Sequence, residues 1–116
     1  LKAHRPKITA LIHCSGGGQT KCLKFAYDTH IIKDNLFDPP PIFTAIETAS
    51  RTPQNEMYQV FNMGHRMEVY TDAATADAVI AIADSYGIPA KIIGRTEPAE
   101  ANRLTLITPS GETIVY

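Results

Sequence analysis

The run Gly16, Gly17, Gly18 constrains this chain more than any other feature, because it separates a short apolar stretch from a segment of mixed character. Ile8 to His13 is β-branched and aliphatic, follows Pro6, and reads as a strand that the glycines end. Successive glycines lose much backbone entropy on folding, so they make sense where the chain turns with positive φ or lets something approach its main chain closely. After them, Thr20, Cys22, Leu23, Phe25, Ala26 and Tyr27 predict an amphipathic helix of about two to three turns. A glycine bend opening a helix leaves N–H groups without partners, and such groups suit a phosphate oxygen. The spacing is not that of a P-loop, since Gly16 is not followed five residues later by Gly-Lys-Ser/Thr. It is not the dinucleotide fingerprint either, whose third glycine position is Lys21. A plain tight turn explains the glycines equally well at this level.

Charge distribution favours the anion. The formal net charge is -1, yet Lys2, Arg5, Lys7, Lys21 and Lys24 put five positive charges in the first 24 residues with no acidic side chain among them. The remaining 92 residues carry six basic and twelve acidic side chains. A basic stretch around a glycine bend suits an anionic small molecule, a phosphorylated one above all. Nucleic acid is a poor partner, because the rest of the chain is acidic and lacks alternating aromatic and basic residues.

With 116 residues, 44% of them hydrophobic and 20% charged, the chain is expected to form one domain, residues 1–116, with a core of its own. No stretch approaches the ~18 apolar residues of a membrane span, and the start Leu1, Lys2, Ala3, His4, Arg5 is no signal peptide, so a cytoplasmic protein without a membrane partner is expected. Cys14 and Cys22 form no CxxC pair, and His4, His13, His30 and His65 show no HxxxH or HExxH spacing. Two reduced thiols, acting as small hydrophobes, and no metal ligand are expected. The first residue is not methionine, and Leu1 to His4 reads as a helix end running into Arg5 and Pro6. That suggests a piece of a longer protein.

Further along, His30 to Asn35 predicts a strand around Ile31 and Ile32, and Pro39, Pro40 and Pro41 an extended segment whose last proline opens a helix. That helix, Ile42 to Ala49, would place Ile42, Phe43, Ile46 and Ala49 on one side. Asn55 begins another, with Met57, Tyr58 and Phe61 inward and Gly64 past its end. Arg66 to Tyr70 alternates as a half-buried strand should. Asp72 caps the clearest helix, with Ala76, Val79, Ile80, Ala83 and Tyr86 at helical spacing and Gly87 as its left-handed stop. Ala90 to Ile93, Leu104 to Ile107 and Thr113 to Tyr116 complete the strands, the last two joined by a turn at Pro109, Ser110 and Gly111. The expected class is α+β: a mixed or antiparallel sheet with helices packed on one face.

Two segments could carry chemistry. In the first, His13 to Gly18, His13 is either an ordinary sheet-edge residue or an acid-base group. In the second, Glu56 to Met67, the residues Met57, Tyr58, Phe61 and Met63 read as core, whereas Asn62 before Gly64 is either a helix C-cap or an amide presented to a substrate.

The segments ITALIHCSGGG (Ile8 to Gly18), EMYQVFNMG (Glu56 to Gly64) and KIIGRT (Lys91 to Thr96), in this order and spacing, resemble the C-terminal domain of phosphoribosylformylglycinamidine cyclo-ligase, or AIR synthase. The resemblance implies a two-domain enzyme of purine biosynthesis, homodimeric when whole, whose N-terminal domain carries most of the ATP and magnesium site. It also implies ATP-dependent ring closure: a formyl oxygen of formylglycinamidine ribonucleotide is phosphorylated, a ring nitrogen attacks, and phosphate leaves to give aminoimidazole ribonucleotide. Such chemistry needs placed anion donors more than a strong protein nucleophile. His13, Ser15, Gly16, Gly17 and Gly18 match the family's H-x-[ST]-G-G-G segment, expected to hold phosphate or substrate, with His13 the candidate for orienting substrate or moving a proton. Glu56, Phe61, Asn62 and Gly64 match E-M-x-x-x-F-N-x-G, expected to line the same cleft. His65 and Arg66 depart from the commoner pattern, which has a glycine at the position of Arg66. The isolated chain is expected to be inactive, and no metal ligand is assigned to it. The alternatives are a related ATP-dependent enzyme, of the selenophosphate synthetase, thiamin-monophosphate kinase or hydrogenase maturation type, and a non-catalytic ligand-sensing or dimerisation module.

Overall fold

The computed structural model describes residues 2–116. In chain order these form a 3₁₀ helix Lys2–Lys7, β1 Ile8–His13, a second 3₁₀ helix Gly18–Lys24, β2 Thr29–Lys33, α1 Pro41–Ser50 and α2 Gln54–Val60. Then come β3 Met67–Thr71, α3 Ala73–Ser85, β4 Gly94–Pro98, β5 Arg103–Ile107 and β6 Thr113–Val115. The class is α+β, with one antiparallel strand pair and one mixed sheet. Of the helix end expected at Leu1 to His4, Leu1 lies outside the described residues, and Lys2 onward is 3₁₀.

The chain divides into two compact units. One comprises the chain up to His13 together with Met67–Ile92. In it β1 runs antiparallel to β3, from Ile8 opposite Thr71 to His13 opposite Met67. The alternation of β3 turns Glu68 inward and leaves Met67 exposed, and the buried carboxylate accepts from the Tyr70 hydroxyl at 2.8 Å, so a neighbour two residues on satisfies the buried acid. The α3 helix begins as expected. Asp72 Oδ1 accepts from Thr75 N–H at 2.7 Å, and this bond, with the positive charge of Lys7, holds the Asp72 carboxyl below its usual range. At the other end Ile88 N–H reaches the Ala83 carbonyl and Gly87 N–H that of Asp84, with Gly87 at φ +69°, which is a Schellman stop. Ala76, Val79, Ile80 and Ala83, at helical spacing, are only half-buried, and Tyr86, in the same spacing, is exposed at the helix end.

The other unit is Cys14–Arg66 with Ile93–Tyr116. Its sheet has the order β4-β2-β5-β6, with β2 antiparallel to β4 and parallel to β5, and β5 antiparallel to β6. The turn at Pro109 to Gly111 forms as expected, closed by Gly111 N–H on the Thr108 carbonyl at 2.8 Å. Ile31, Ile32, Leu104 and Leu106 on the two central strands are buried, with Met57, Tyr58 and Met63 from the α2 region. Pro41 opens α1, as its preset φ and missing N–H allow. The apolar side expected of α1 is weaker than its spacing suggests: Phe43 and Ile46 are half-buried, Ile42 and Ala49 exposed.

Two expectations are corrected here. No strand forms at Ala90 to Ile93; it starts at Gly94, because the Ile93 carbonyl is already engaged by the N–H groups of Asp34 and Asn35, both at 3.0 Å. The segment after the glycines is not an amphipathic α-helix but a 3₁₀ helix of seven residues. With three residues per turn it places Gln19 and Cys22 on one face, and these are buried together with Gly18, while Phe25 and Tyr27 beyond its end are exposed.

Candidate functional site

The glycine bend and the end of α2 meet inside the second unit. Gly16, Gly17 and Gly18 all have positive φ, at +58°, +124° and +51°. Gly18 has a second reason to lack a side chain: a Cβ there would lie 2.3 Å from the Phe61 carbonyl oxygen. The main chains of the two segments thus approach each other as only glycine permits.

One side-chain and one main-chain hydrogen bond then tie the segments together. Gln19 Nε2 donates to the Asn62 carbonyl at 2.7 Å, and Cys14 N–H donates to the Arg66 carbonyl at 2.9 Å. The bend is braced from within. Thr20 donates through its N–H and its hydroxyl to the Gly17 carbonyl, at 3.0 and 2.7 Å, and Lys21 Nζ donates to the Ser15 carbonyl at 2.8 Å. In this way the carbonyls of the bend are used internally. Among the described residues, no intramolecular acceptor meets the N–H of Gly16, Gly17 or Gly18. With the Lys21 ammonium held beside them, these groups form a set of donors suited to an anion rather than a cation. The donors belong to the bend itself, since a 3₁₀ helix of seven residues is too short for a useful dipole.

Asn62 lies at the other side of this junction. Its Oδ1 accepts from Gly64 N–H at 2.8 Å, an Asx turn, which leaves the Nδ2 end of the amide as the donor. Met63 in that turn has φ +53° and Gly64 φ +96°, and a Cβ on Gly64 would lie 2.8 Å from Pro40 Cδ. The structure therefore gives Gly64 a local task, making the turn and seating Pro40.

Not every residue of the two motifs gathers here. Phe61 contributes its main chain to the junction, while its ring packs against Phe43 of α1 at 5.9 Å. Glu56 is exposed in the first turn of α2, about one and a half turns before Phe61. Ser15 is exposed beside Gly16. His13 is exposed at the end of β1 and belongs to the other compact unit. His65 is a core histidine: its Nε2 accepts from Phe37 N–H at 3.1 Å and its ring stands edge-on to that of Phe37. Arg66 has no positive φ and so needs no glycine. Cys14 and Cys22 are free and buried.

Gln19 and Lys33 were missed by the sequence reading. Both are buried and bonded to each other. The signal for Lys33 was a lone cation directly after Ile31 and Ile32 in a strand; Gln19 offered none. Among the described residues no group of three His, Cys, Asp or Glu could hold a metal ion, and no helix is long and apolar enough to cross a membrane.

Comparison with known proteins agrees with the family resemblance. The sequence pattern of the family described as AIR synthase related protein, C-terminal domain, matches residues 1–107. A phosphoribosylformylglycinamidine cyclo-ligase of Methanocaldococcus jannaschii is 38% identical over 89 residues, covering 77% of this chain and 25% of the relative. The protein of the same name from Methanococcus vannielii is 36% identical over 90 residues, covering 78% and 26%. That from Trichlorobacter lovleyi is 30% identical over 100 residues, covering 84% and 29%. The chain thus spans about a quarter of the length of these relatives.

Proposed function

The chain belongs to the AIR synthase related family as its C-terminal domain, and from that premise we propose that it is the C-terminal part of a phosphoribosylformylglycinamidine cyclo-ligase. The observation that carries this reading is the junction of Gly18 with Phe61 and of Gln19 with Asn62, which joins the family's two motifs into one set of donors. The names of the relatives favour a cyclo-ligase over the kinase, synthetase and sensor alternatives.

In this reading the substrate is formylglycinamidine ribonucleotide, a phosphorylated small molecule. ATP supplies the phosphoryl group that turns the formyl oxygen into a leaving group. The N–H groups of Gly16, Gly17 and Gly18 hold anionic oxygens, and the Lys21 ammonium adds a positive charge that braces Ser15 at the same time. Asn62 Nδ2 orients the substrate by donating to an acceptor on it. Glu56 and Gly64 line the approach to this set, and His13 orients substrate or carries a proton during closure. Fixing the attacking nitrogen against the activated carbon supplies much of the rate, because ring closure is limited by geometry.

The donors of the bend fit phosphate oxygens and not a cation, so magnesium and most of the ATP site are assigned to the N-terminal domain, and no step is routed through a metal here. The remaining parts of the reading are a single C-terminal domain in a two-domain chain, a homodimeric whole enzyme in the cytoplasm, and no activity without the N-terminal domain.

Isothermal titration of the full-length enzyme and its Gly17→Asp variant with substrate tests the bend. The variant places a carboxylate among the anion donors and is expected to abolish measurable binding; unchanged affinity removes the bend from the site. For His13, the pH–rate profile of His13→Asn decides, and a profile like that of the wild type dismisses the proton-transfer role.

A further inference from the structure

Lys33 ends β2, a strand hydrogen-bonded on both sides by β4 and β5, and only 2% of it is exposed. A buried ammonium is costly unless its N–H groups are engaged, and an apolar side chain would fill such a position without that cost. What the ammonium does is specific. Its Nζ donates to the backbone carbonyl of Gln19 and to Gln19 Oε1, both at 2.9 Å. Gln19 is wholly buried, and the other end of its amide, Nε2, donates to the Asn62 carbonyl at 2.7 Å. A carboxamide has one accepting end and one donating end, and turning it over exchanges them. With a cation against Oε1, the amide has one favourable orientation, the one that presents Nε2 to Asn62. With an apolar residue at position 33, the flipped amide would set oxygen against oxygen without opposition.

We propose that Lys33 is a positioning residue for the glycine bend: through Gln19 it sets the distance and orientation between the bend and the Asn62 turn. The path is continuous, from Lys33 to Gln19, to Asn62, and by Asn62 Oδ1 to Gly64 N–H. It joins the most buried part of the sheet to the two motifs, and Lys33 itself touches no substrate. Its catalytic consequence rests on the cyclo-ligase reading; its structural consequence does not.

Two variants of the full-length enzyme test this, Lys33→Met and Gln19→Glu. Lys33→Met keeps an unbranched side chain one atom shorter and removes the donors. Gln19→Glu keeps an acceptor for Lys33 but turns the donor facing Asn62 into a repelling oxygen. Amide hydrogen exchange is expected to speed up about tenfold or more across residues 16–20 and 61–65 in both variants, with residues 104–107 of β5 still protected. Unchanged exchange at 16–20 and 61–65 overturns the proposal. If Lys33→Met loses protection in β5 as well, Gln19→Glu decides alone by the same criterion. In a ring-closure assay with kcat referred to the folded fraction, both variants are expected to lose about tenfold or more in kcat, whereas a mere loss of folded enzyme would leave that corrected kcat unchanged. Wild-type kcat in both variants also overturns the proposal. A wild-type enzyme that closes no ring would sink the functional reading alone, leaving Lys33 to the exchange comparison.

Discussion

The two compact units use their residues differently. In the unit of Cys14–Arg66 and Ile93–Tyr116, a four-stranded mixed sheet supports wholly buried Leu104, Leu106, Met57 and Gln19, and the glycine bend is held by main-chain contact and buried polar bonds. In the unit of β1, β3 and α3, a two-stranded ribbon carries one α-helix and a short 3₁₀ helix, and of its described residues only Ile12, Glu68 and Thr75 are buried. A two-stranded ribbon offers one strand spacing of surface to cover, so local devices such as caps and stops do more of the work there. The lesson is where geometry can be held. A set of donors kept to a few tenths of an ångström needs buried packing behind it, and the four-stranded unit has that packing.

The glycines should separate the units most sharply. Gly18→Ala sets a methyl group against the Phe61 carbonyl at positive φ and is expected to cost roughly 3–5 kcal/mol. Gly87→Ala, also at positive φ but with nothing within 4 Å, should cost about 1 kcal/mol. Denaturant unfolding measures both, and equal losses would break the contrast. Next come the cores. Leu104→Ala is expected to cost about 3 kcal/mol and Val79→Ala, half-buried on α3, less than about 1 kcal/mol; a larger loss at Val79 would mean that α3 is packed more tightly than its exposure indicates.

Titration sharpens the comparison at smaller effect. In the four-stranded unit the Tyr116 hydroxyl donates to the Asn55 carbonyl, and burial, with Tyr58 and Glu112 nearby, pushes its pKa from 10.0 up to about 12. Between those values the unfolded chain gives up a proton that the native state keeps, so this contribution is whole below pH 10.0 and lost as pH rises toward about 12. Tyr116→Phe should flatten the fall of thermal midpoint with pH in that window, and matching slopes would acquit Tyr116. In the other unit Asp72 has the opposite sign. Its pKa is lowered below 3.8 chiefly by the bond from Thr75 N–H, so its contribution is present above 3.8 and lost as pH falls through the native value. Asp72→Asn, still a good cap, should change stability little at neutral pH and weaken the acid dependence, read from the same midpoints.

Much of the local structure was legible. The strand Ile8–His13 stands where the apolar run placed it, Asp72 and Gly87 bound α3, Pro41 opens α1, and the Pro109 to Gly111 turn joins the last strands. Each depends on neighbours within a few residues. What was not legible depended on distant ones: Glu68 buried rather than Met67, the strand beginning at Gly94 rather than Ala90, and a 3₁₀ helix after the bend. The candidate site divides in the same way. Its two motifs were visible in the sequence, but their junction through Gly18, Gln19 and Asn62 was not, and neither was the lysine beneath them.

Composition and order alone determined the α+β class, the caps, the turns and the two segments worth inspecting, because those follow from backbone preference and from contacts within a turn or two of chain. Tertiary structure alone decided that Gly18 lies against Phe61, that Gln19 faces Asn62, and that a lysine is buried in the central strand. These pairings bring together residues up to 43 positions apart. Their energy comes from excluded volume and from polar groups shut away from water, neither of which exists until the sheet has formed.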